Sequence, residues 1–359
     1  MKYYKKMSNN KTKYLVLKGC AGLGNRFITL MKAINYAKMS GRTLYVDWSD
    51  GMFGTLGKNA FSEYFDIKGI KCCDIEEVMN AYHAGASCYP SKIRKDDLVN
   101  PIYEERDVKG QFVAYMPKMA RKTIYKVALS VIPLHKLVYV LGLQSFQRVE
   151  VKDKLSWKYV VHHMFDGENF PLGSNLWPWL HAQIVLFVDF RPLVSMKKFF
   201  DYVSLKKDMY DKIDSKASEL GVQNAIGIHV RYTDKKPKGQ LDILHHQLKS
   251  MIEADSSLKI FLCSDNPDVV EDFKRIYPGR VLLYEKFIPK VEDGGIHIWA
   301  AQHATDEIKQ KMFEDSITEM WMLSMTKTLF WQGNSSFSYI SKLLRDKENK
   351  KTIDWLKLK

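Results

Sequence analysis

The 359-residue sequence lacks the short motifs by which several large enzyme classes are recognised. It contains no DxD carboxylate pair of the kind that commonly holds Mn²⁺ or Mg²⁺. It contains no P-loop and no GxSxG sequence, so the usual phosphate-binding loop and the α/β-hydrolase nucleophile are both excluded. Repeats, heptads and low-complexity tracts are absent as well, which excludes solenoids and coiled coils.

Cysteine and histidine are few and poorly spaced for binding a metal. The five cysteines form an odd set without a CxxC pair, which predicts free thiols in a reducing compartment. His162-His163 and His245-His246 are adjacent pairs whose side chains point to different faces, so no metal site is predicted. The first 13 residues are basic and lack an apolar core, so they do not resemble a signal peptide and a cytoplasmic location is expected.

Long hydrophobic runs are also scarce. The longest, Val127–Leu143, is short for a membrane span and is interrupted by Pro133, His135 and Lys136. It is either a core helix or, with the basic tract Lys118–Lys126 before it, a membrane-surface segment. The net charge of +14 favours anionic partners, which include nucleotide phosphates, nucleic acid and an anionic inner membrane face. The lysines form no stripe with interleaved aromatics, so nucleic acid is not the expected partner.

The beginning of the chain has the pattern of a βαβ unit. A short apolar strand, Tyr14–Leu17, leads through a glycine-rich turn into a helical pattern over Phe27–Met39, and a second strand follows over Thr43–Trp48. This order predicts an α/β fold with a parallel, doubly wound sheet. The glycine spacing is GxxGxG, so the turn is not a dinucleotide fingerprint, but its amides and Asn25 can approach a ligand closely.

A second βα series begins near residue 200, so we predict two domains, 1–200 and 201–359. Predicted strands and helices alternate over Ser204–Leu220, Ala225–Val230, Leu241–Ala254, Lys259–Cys263, Asp268–Ile276, Arg280–Tyr284, Thr305–Thr326 and Leu329–Trp331, with a last helix opening at 332–338.

Three further stretches are harder to interpret. The irregular region from Asp50 to Pro117 is interpreted as loops and insertions, and Leu180–Val188 as a helix. Trp177 and Trp179 before it are either core residues or a platform for stacking sugars. The lysine-rich end, Arg345–Lys359, is interpreted as a solvated tail or a terminal helix packing on the first domain.

Three polar loops follow predicted strands of the second series. They cover His229–Lys235, Ser264–Asn266 and Gly333–Ser336, and in a doubly wound sheet such loops meet in one crevice. Arg231 offers a planar fork of donors that matches a phosphate, and the third loop opens a helix whose amides attract anions. Together they predict a diphosphate clamp, although an ordinary strand-to-loop junction with solvated charges would have the same local pattern.

Glu319 lies on the long helix shortly before the third loop. Its carboxylate could accept paired N–H bonds from a guanine edge and so select guanine over adenine. The alternative is a solvated helix charge, since Glu314 and Asp315 lie close by in the sequence.

These motifs resemble those of the GDP-fucose-dependent fucosyltransferase superfamily. The resemblance rests on GLGNR at 22–26, RTLYVDW at 42–48, HVRYTDK at 229–235, EMWML at 319–323 and NSSF at 334–337, in that order. The set looks most like the nodulation-type bacterial α1,6-fucosyltransferases, and NSSFS is also similar to the α1,2 enzymes. The resemblance implies a GT-B fold, in which two Rossmann-like domains face each other across a cleft, and a reaction without a metal or other cofactor.

The resemblance also implies roles for individual residues. Arg231 would bind the β-phosphate of GDP-fucose, with Ser335 or Ser336 on the diphosphate. His229 and Glu319 would contact the guanine. The further residues expected around the donor are Gly22, Gly24, Asn25, Asp234, Lys235, Asp265 and Asn334, and Asp47 would lie near the acceptor.

Two departures from the family pattern concern catalysis. Tyr232 stands where many relatives have a second basic residue, and no acid lies in Lys235–Gly239, where some relatives have a candidate base. The next acid is Asp242, which becomes the candidate base, with Arg231 and Asn25 as the other expected catalytic residues. The expected activity is inverting, metal-independent transfer of fucose from GDP-fucose to a hydroxyl of an oligosaccharide or surface glycan. The alternatives are transfer from another GDP-sugar and a non-catalytic protein that binds a glycan or a nucleotide.

Overall fold

The computed structural model describes residues 11–19, 21–89, 94–100, 182–187, 199–237, 239–289, 295–345 and 351–358. Several sequence-based predictions lie outside these residues: those for Cys20, the basic tract 118–126, the apolar segment 127–143, His162-His163 and the tryptophans at 177 and 179. Each helix within these ranges is too short or too polar to span a lipid bilayer. Within the same ranges, no three metal-ligating side chains lie close enough together to hold an ion.

The described residues form two compact units whose segments alternate along the chain. The first unit draws on Met1–Lys18, Leu30–Asp47 and Gly69–Asp189, and the second on Gly19–Thr29, Trp48–Lys68 and Phe190–Lys359. The glycine-rich turn therefore packs with the later part of the chain, although it lies near the start of the sequence. The predicted division into two domains at a single boundary near residue 200 remains a prediction. The two compact units divide the chain at other positions.

A four-stranded sheet forms the core of the first unit. Its strands are β1 (Tyr14–Lys18), β2 (Thr43–Asp47), β4 (Cys88–Tyr89) and β5 (Ile184–Phe187), in the order β2-β1-β5-β4. All three strand pairings are parallel, and every residue of β1 is buried. The predicted βαβ unit is present, because helix α1 (Leu23–Ser40) connects β1 to β2 and ends at Gly41 in the left-handed region, with φ +65°.

Two predictions for this part of the chain were wrong. The segment interpreted as a helix at Leu180–Val188 contains β5, because a short, buried and partly β-branched run fits a central parallel strand as well as a helix. The region interpreted as loops after Asp50 contains short elements: α2 (Ala60–Tyr64), β3 (Phe65–Ile67), α3 (Ile75–His83) and α4 (Lys95–Val99).

A five-stranded parallel sheet forms the core of the second unit. Its strands are β7 (Ile226–Val230), β8 (Ile260–Ser264), β9 (Val281–Leu282), β10 (Thr328–Trp331) and β11 (Thr352–Asp354), in the order β11-β10-β7-β8-β9. Strands β7 and β8 are buried along their whole length, as expected for a sheet covered on both faces. The helices are α5 (Phe199–Tyr202), α6 (Lys207–Leu220), α7 (Gln240–Ala254), α8 (Pro267–Ile276), α9 (Ile296–His303), α10 (Asp306–Met325) and α11 (Ser336–Arg345).

The end of the chain belongs to this second sheet. Strand β11 pairs in parallel with β10, and the buried indole of Trp355 donates a hydrogen bond to the carbonyl of His229 at 3.0 Å. The interpretation of Arg345–Lys359 as a tail or a helix on the first domain was therefore wrong.

Residues before α6 form a further strand, β6 (Val203–Leu205), which pairs antiparallel with β3. Short edge pairings of this kind depend on a distant partner strand and leave little local signal.

Candidate functional site

One cavity in the second unit collects most of the predicted site residues. It is bounded by the glycine-rich turn, the loop after β2, the loops after β7, β8 and β9, the start of α9, one face of α10 and the start of α11. The sequence-predicted residues that line it are Gly22, Gly24, Asn25, His229, Arg231, Asp265, Glu319 and Ser336. The carboxyl ends of β7 and β8 therefore meet in a crevice, as predicted for a doubly wound sheet.

Arg231 is held in place by a carboxylate three residues later. Its Nε and Nη2 donate to the two oxygens of Asp234 at 2.6 and 2.5 Å. Burial opposes ionisation of Asp234, but the hydrogen bonds and charge of Arg231 prevail and lower the pKa of this carboxyl. Asp234 does not line the cavity, so it supports the guanidinium and leaves Arg231 to face a ligand. A planar group fixed in this way is already oriented for binding an anion.

Asp265 shapes the loop after β7. Its Oδ1 accepts from the backbone N–H of Tyr232 at 2.6 Å and of Thr233 at 3.3 Å, and its Oδ2 accepts from the Thr233 hydroxyl at 2.7 Å. The carboxylate thus satisfies donors that an irregular loop would otherwise leave unpaired. By fixing this turn, Asp265 helps to position Arg231, the residue directly before it.

Gln332 joins the two loops that were predicted to form the clamp. This fully buried side chain accepts from the Arg231 N–H at 2.7 Å and donates to the carbonyls of Arg231 and Lys235 at 3.2 and 3.3 Å. Lys235 reaches back to the carbonyl of Asn334 at 2.6 Å. Lys235 and Asn334 do not line the cavity, so the structure places them in this bridge between the loops.

The start of α11 faces the cavity through Ser336. Ser335 is buried and its hydroxyl has no hydrogen-bond partner among the described residues, and it is not part of the cavity lining. Helix α11 therefore offers the cavity its first hydroxyl and the positive end of its dipole. Of the two predicted serines, Ser336 is the one placed to contact a ligand.

Gly24 lies against the start of α11 more closely than any larger residue could. A Cβ at this position would lie 2.6 Å from the backbone nitrogen of Phe337 and 2.6 Å from the carbonyl carbon of Ser336. Only a residue without a side chain permits this approach. The glycine turn is thereby joined to the loop after β10.

We expect Gly24→Ala to destabilise the protein and to weaken ligand binding, because the added methyl group must push two backbone segments apart. The expected loss is about 1–3 kcal/mol in the free energy of unfolding, as for overpacked cores. Denaturant titration measures it. Gly22→Ala is the matched control, since its Cβ would meet only the His297 ring at 3.5 Å or more. Equal stability of the two variants would contradict the expectation.

His229 is a neutral, buried group at the base of the cavity. Its ring stacks on Phe337 with centroids 5.0 Å apart, and its Nδ1 is buried without a hydrogen-bond partner among the described residues. Burial, with the charges of Arg231 and Lys286, lowers the pKa of His229 to about 3. At neutral pH the ring can therefore offer a hydrogen bond to a ligand and carries no charge.

Glu319 is buried and forms an ion pair with Lys286, whose Nζ lies 2.5 Å from Oε2. Burial raises the pKa of Glu319, and the ammonium opposes that rise. On Lys286 burial favours the neutral amine, but the carboxylate outweighs it and the pKa of the lysine is raised. The side chain is thus a paired carboxylate inside the cavity, and the alternative of a solvated helix charge is excluded.

Two acidic residues lie elsewhere. Asp242, the predicted base, is an exposed residue in the first turn of α7 and does not line the cavity, so that assignment is not supported. The helix turns its apolar face, with Leu244 and Leu248, to the core, and this leaves Asp242 outside. Asp47 is buried in the first unit, where it forms an ion pair with the buried Lys18.

Several cavity residues were missed by sequence reasoning. Lys286, His297 and Lys309 line the cavity, and Gln332 organises its loops. Gln332 could have been noticed as a polar residue directly after a buried strand. Lys286 and His297 lie in segments without a recognisable motif, and only the fold brings them to the site.

The structure was compared with known proteins. No protein-family model matches the chain, and no curated protein matches it by sequence. Among solved structures, NodZ α1,6-fucosyltransferase soaked with GDP-fucose matches with a TM-score of 0.54 at 18% identity, covering 93% of each chain. Fucosyltransferase NodZ from Bradyrhizobium gives 0.53 at 17%, again with 93% of each chain covered. The apo form of POFUT1 gives 0.51 at 11%, covering 95% of this chain and 97% of POFUT1. The chain therefore has the GT-B fold of these fucosyltransferases, as the family resemblance of its motifs implied.

Proposed function

We propose that this chain is an inverting fucosyltransferase that moves fucose from GDP-fucose to a hydroxyl of an oligosaccharide or surface glycan. Its fold is that of NodZ and POFUT1. NodZ structures have been obtained by soaking with GDP-fucose and by co-crystallisation with GDP, and both match this chain with TM-scores above 0.5. The observation that carries the proposal is the cavity of the second unit, where Arg231, the start of α11 at Ser336 and the carboxylate of Glu319 meet.

The polarity of this cavity suits a nucleoside diphosphate. Arg231, Lys286 and Lys309 bring positive charge, and the helix start adds amide donors and a dipole of the same sign. Glu319 is a buried acceptor that can receive the N–H groups of a guanine edge, which adenine cannot offer in the same pattern. The unpaired Nδ1 of His229 is a further group that a bound nucleotide would satisfy.

In the proposed reaction, the acceptor oxygen forms a bond to the anomeric carbon as the bond from that carbon to the diphosphate breaks. The electron pair of the broken bond leaves with GDP, so negative charge grows on the diphosphate. Arg231 stabilises this charge from an orientation already set by Asp234. Preorganised donors of this kind lower the barrier because they need no rearrangement when the charge develops. In this proposal the positive charge that stabilises the departing diphosphate comes from side chains and from the start of helix α11.

The proposal predicts that GDP binds more tightly than ADP, by at least about tenfold, because Glu319 recognises the guanine edge. Isothermal titration with the two nucleotides measures the difference. A GDP-release assay with GDP-fucose and GDP-mannose over a panel of glycans then identifies the donor and the acceptor. Equal affinity for the two nucleotides, or no binding of GDP, would contradict the proposal.

The same assays separate the alternatives. Release of GDP from GDP-mannose, with none from GDP-fucose, would identify a transferase for another GDP-sugar. Tight binding of GDP-fucose without transfer to any glycan would indicate a non-catalytic binding protein. Salt dependence of transfer to lipid-carried glycans, with donor hydrolysis unaffected, would support peripheral contact with an anionic membrane.

A further inference from the structure

The cavity contains a histidine that the sequence analysis did not select. His297 is the second residue of α9, and its half-buried ring lines the cavity beside the glycine turn. A Cβ placed on Gly22 would lie 3.5 Å from its Nδ1, and one placed on Gly295 would lie 2.8 Å from the same atom. The Cβ placed on Gly295 would also lie 3.5 Å from Nη2 of Arg231. The imidazole is therefore a neighbour both of the glycine turn and of the guanidinium proposed to hold the diphosphate.

Every other proton acceptor of the cavity lining is already engaged. Both oxygens of Asp265 accept bonds from the loop after β7, and Glu319 is paired with Lys286. His229 is stacked, buried and too weakly basic to take a proton near neutral pH. By contrast, the His297 ring makes no hydrogen bond to any residue that the structure describes, and it lines the cavity.

The electrostatic surroundings keep His297 neutral. Burial and then the positive charge of Arg231 lower its pKa, Asp234 opposes them, and Arg26 adds a smaller lowering effect. The remaining charged groups of the lining are Lys286 with Glu319, Lys309 and Asp265. A neutral imidazole at pH 7 is in the state that a general base requires.

We infer that His297 is the general base of the transfer reaction, an inference that rests on the proposed function. The imidazole takes the proton of the acceptor hydroxyl as the acceptor oxygen bonds to the anomeric carbon and GDP departs with the electron pair of the broken bond. The resulting imidazolium returns its proton to solvent before the next turnover. Arg231, close by, faces the departing diphosphate, so acceptor activation and leaving-group stabilisation occur on neighbouring side chains.

The test is His297→Gln, which keeps a polar side chain of similar length and removes the basic nitrogen. We expect kcat for fucosyl transfer to fall by about 10²–10⁴, the usual contribution of a general base. Affinity for GDP, measured by titration, should change less than about threefold, a shift well under one kcal/mol. Because its surroundings lower the pKa of His297 from the ordinary value of about 6.5, the wild type should lose activity only at a pH below that value, and the residual activity of the variant should lack this acid limb.

His303→Gln is the matched control, since His303 lies on the same helix but is exposed, does not line the cavity and has its ring 5.6 Å from that of Trp299. It should retain wild-type kcat. Wild-type kcat and an unchanged acid limb in His297→Gln would overturn the inference and leave the proposed function intact. A wild type that fails to bind GDP or to transfer fucose would overturn both. Loss of GDP binding together with kcat in His297→Gln would show a structural role instead.

Discussion

Arg231→Ala is expected to lower kcat for fucosyl transfer by about 10²–10³ while the protein stays folded, because the variant loses a preorganised charge donor to the leaving diphosphate. The fold should tolerate the change. The ion pair that Arg231 makes with Asp234 is partly exposed, at 18% and 27% side-chain exposure, and such pairs contribute about 0–1 kcal/mol. Steady-state kinetics with GDP-fucose, together with circular dichroism, measure the two effects separately.

The control for this variant is Arg275→Ala. Arg275 also pairs with a carboxylate three residues away, Asp272, at 2.9 Å, but it is largely exposed on α8 and does not line the cavity. Its loss should leave kcat unchanged. Turnover by Arg231→Ala at the wild-type rate would remove the proposed diphosphate clamp, since no other guanidinium of the described residues lines this cavity.

The largest expected effect on stability comes from Arg345→Met. Arg345 is 1% exposed and is the last residue of α11. Its guanidinium donates hydrogen bonds to carbonyls at the end of α10 and in the segments that follow. It donates to the backbone oxygens of Leu323, Ser324, Thr326, Lys327 and Lys351, at 2.6–3.4 Å. A cation here also faces the negative end of the α10 dipole. Because hydrogen bonds to charged groups contribute about 1.5–3 kcal/mol each, the variant should lose at least about 3 kcal/mol of unfolding free energy.

Denaturant titration against Lys342→Met isolates this effect. Lys342 lies on the same helix, three residues earlier, and its ammonium lies 5.1 Å from the ring centroid of Trp331. Both residues are only partly buried, and a cation–π contact that stays close to solvent contributes about 0.5–1 kcal/mol. Similar losses in the two variants would mean that the buried carbonyls find other partners when the guanidinium is removed.

The local sequence pattern was sufficient to predict the strands of the second unit that are buried on both faces, and also its long helix α10. The apolar runs that became β7 and β8 were predicted to within one residue, since a buried parallel strand requires nearly continuous apolar residues. Helix α10 was predicted because Thr305 supplies a visible cap, and its hydroxyl does accept from the N–H of Ile308. Strand β5 was missed because a short buried apolar run also fits a helix, and β11 was missed because a three-residue edge strand leaves little local signal.

The candidate site was predictable only in part. Arg231 and Ser336 follow strands in the sequence, and the topology of a parallel sheet brings such loops together. The sequence did not show that Asp234 would orient the guanidinium, that Gln332 would join the two loops or that Lys286 would pair with Glu319. Asp242, the predicted base, lies outside the cavity, because nearness in sequence to Arg231 says little about which face of the next helix a side chain occupies.

Neighbouring residues were enough to predict a parallel α/β protein with an arginine and a helix start at the ends of buried strands, because strand burial and helix starts depend on local sequence. Three placements were visible only in the folded chain: the glycine turn packs with the later part of the chain, Ser336 and not Ser335 faces the cavity, and His297 lies near Arg231. Such placements depend on contacts between segments separated by many residues, and no local pattern encodes them.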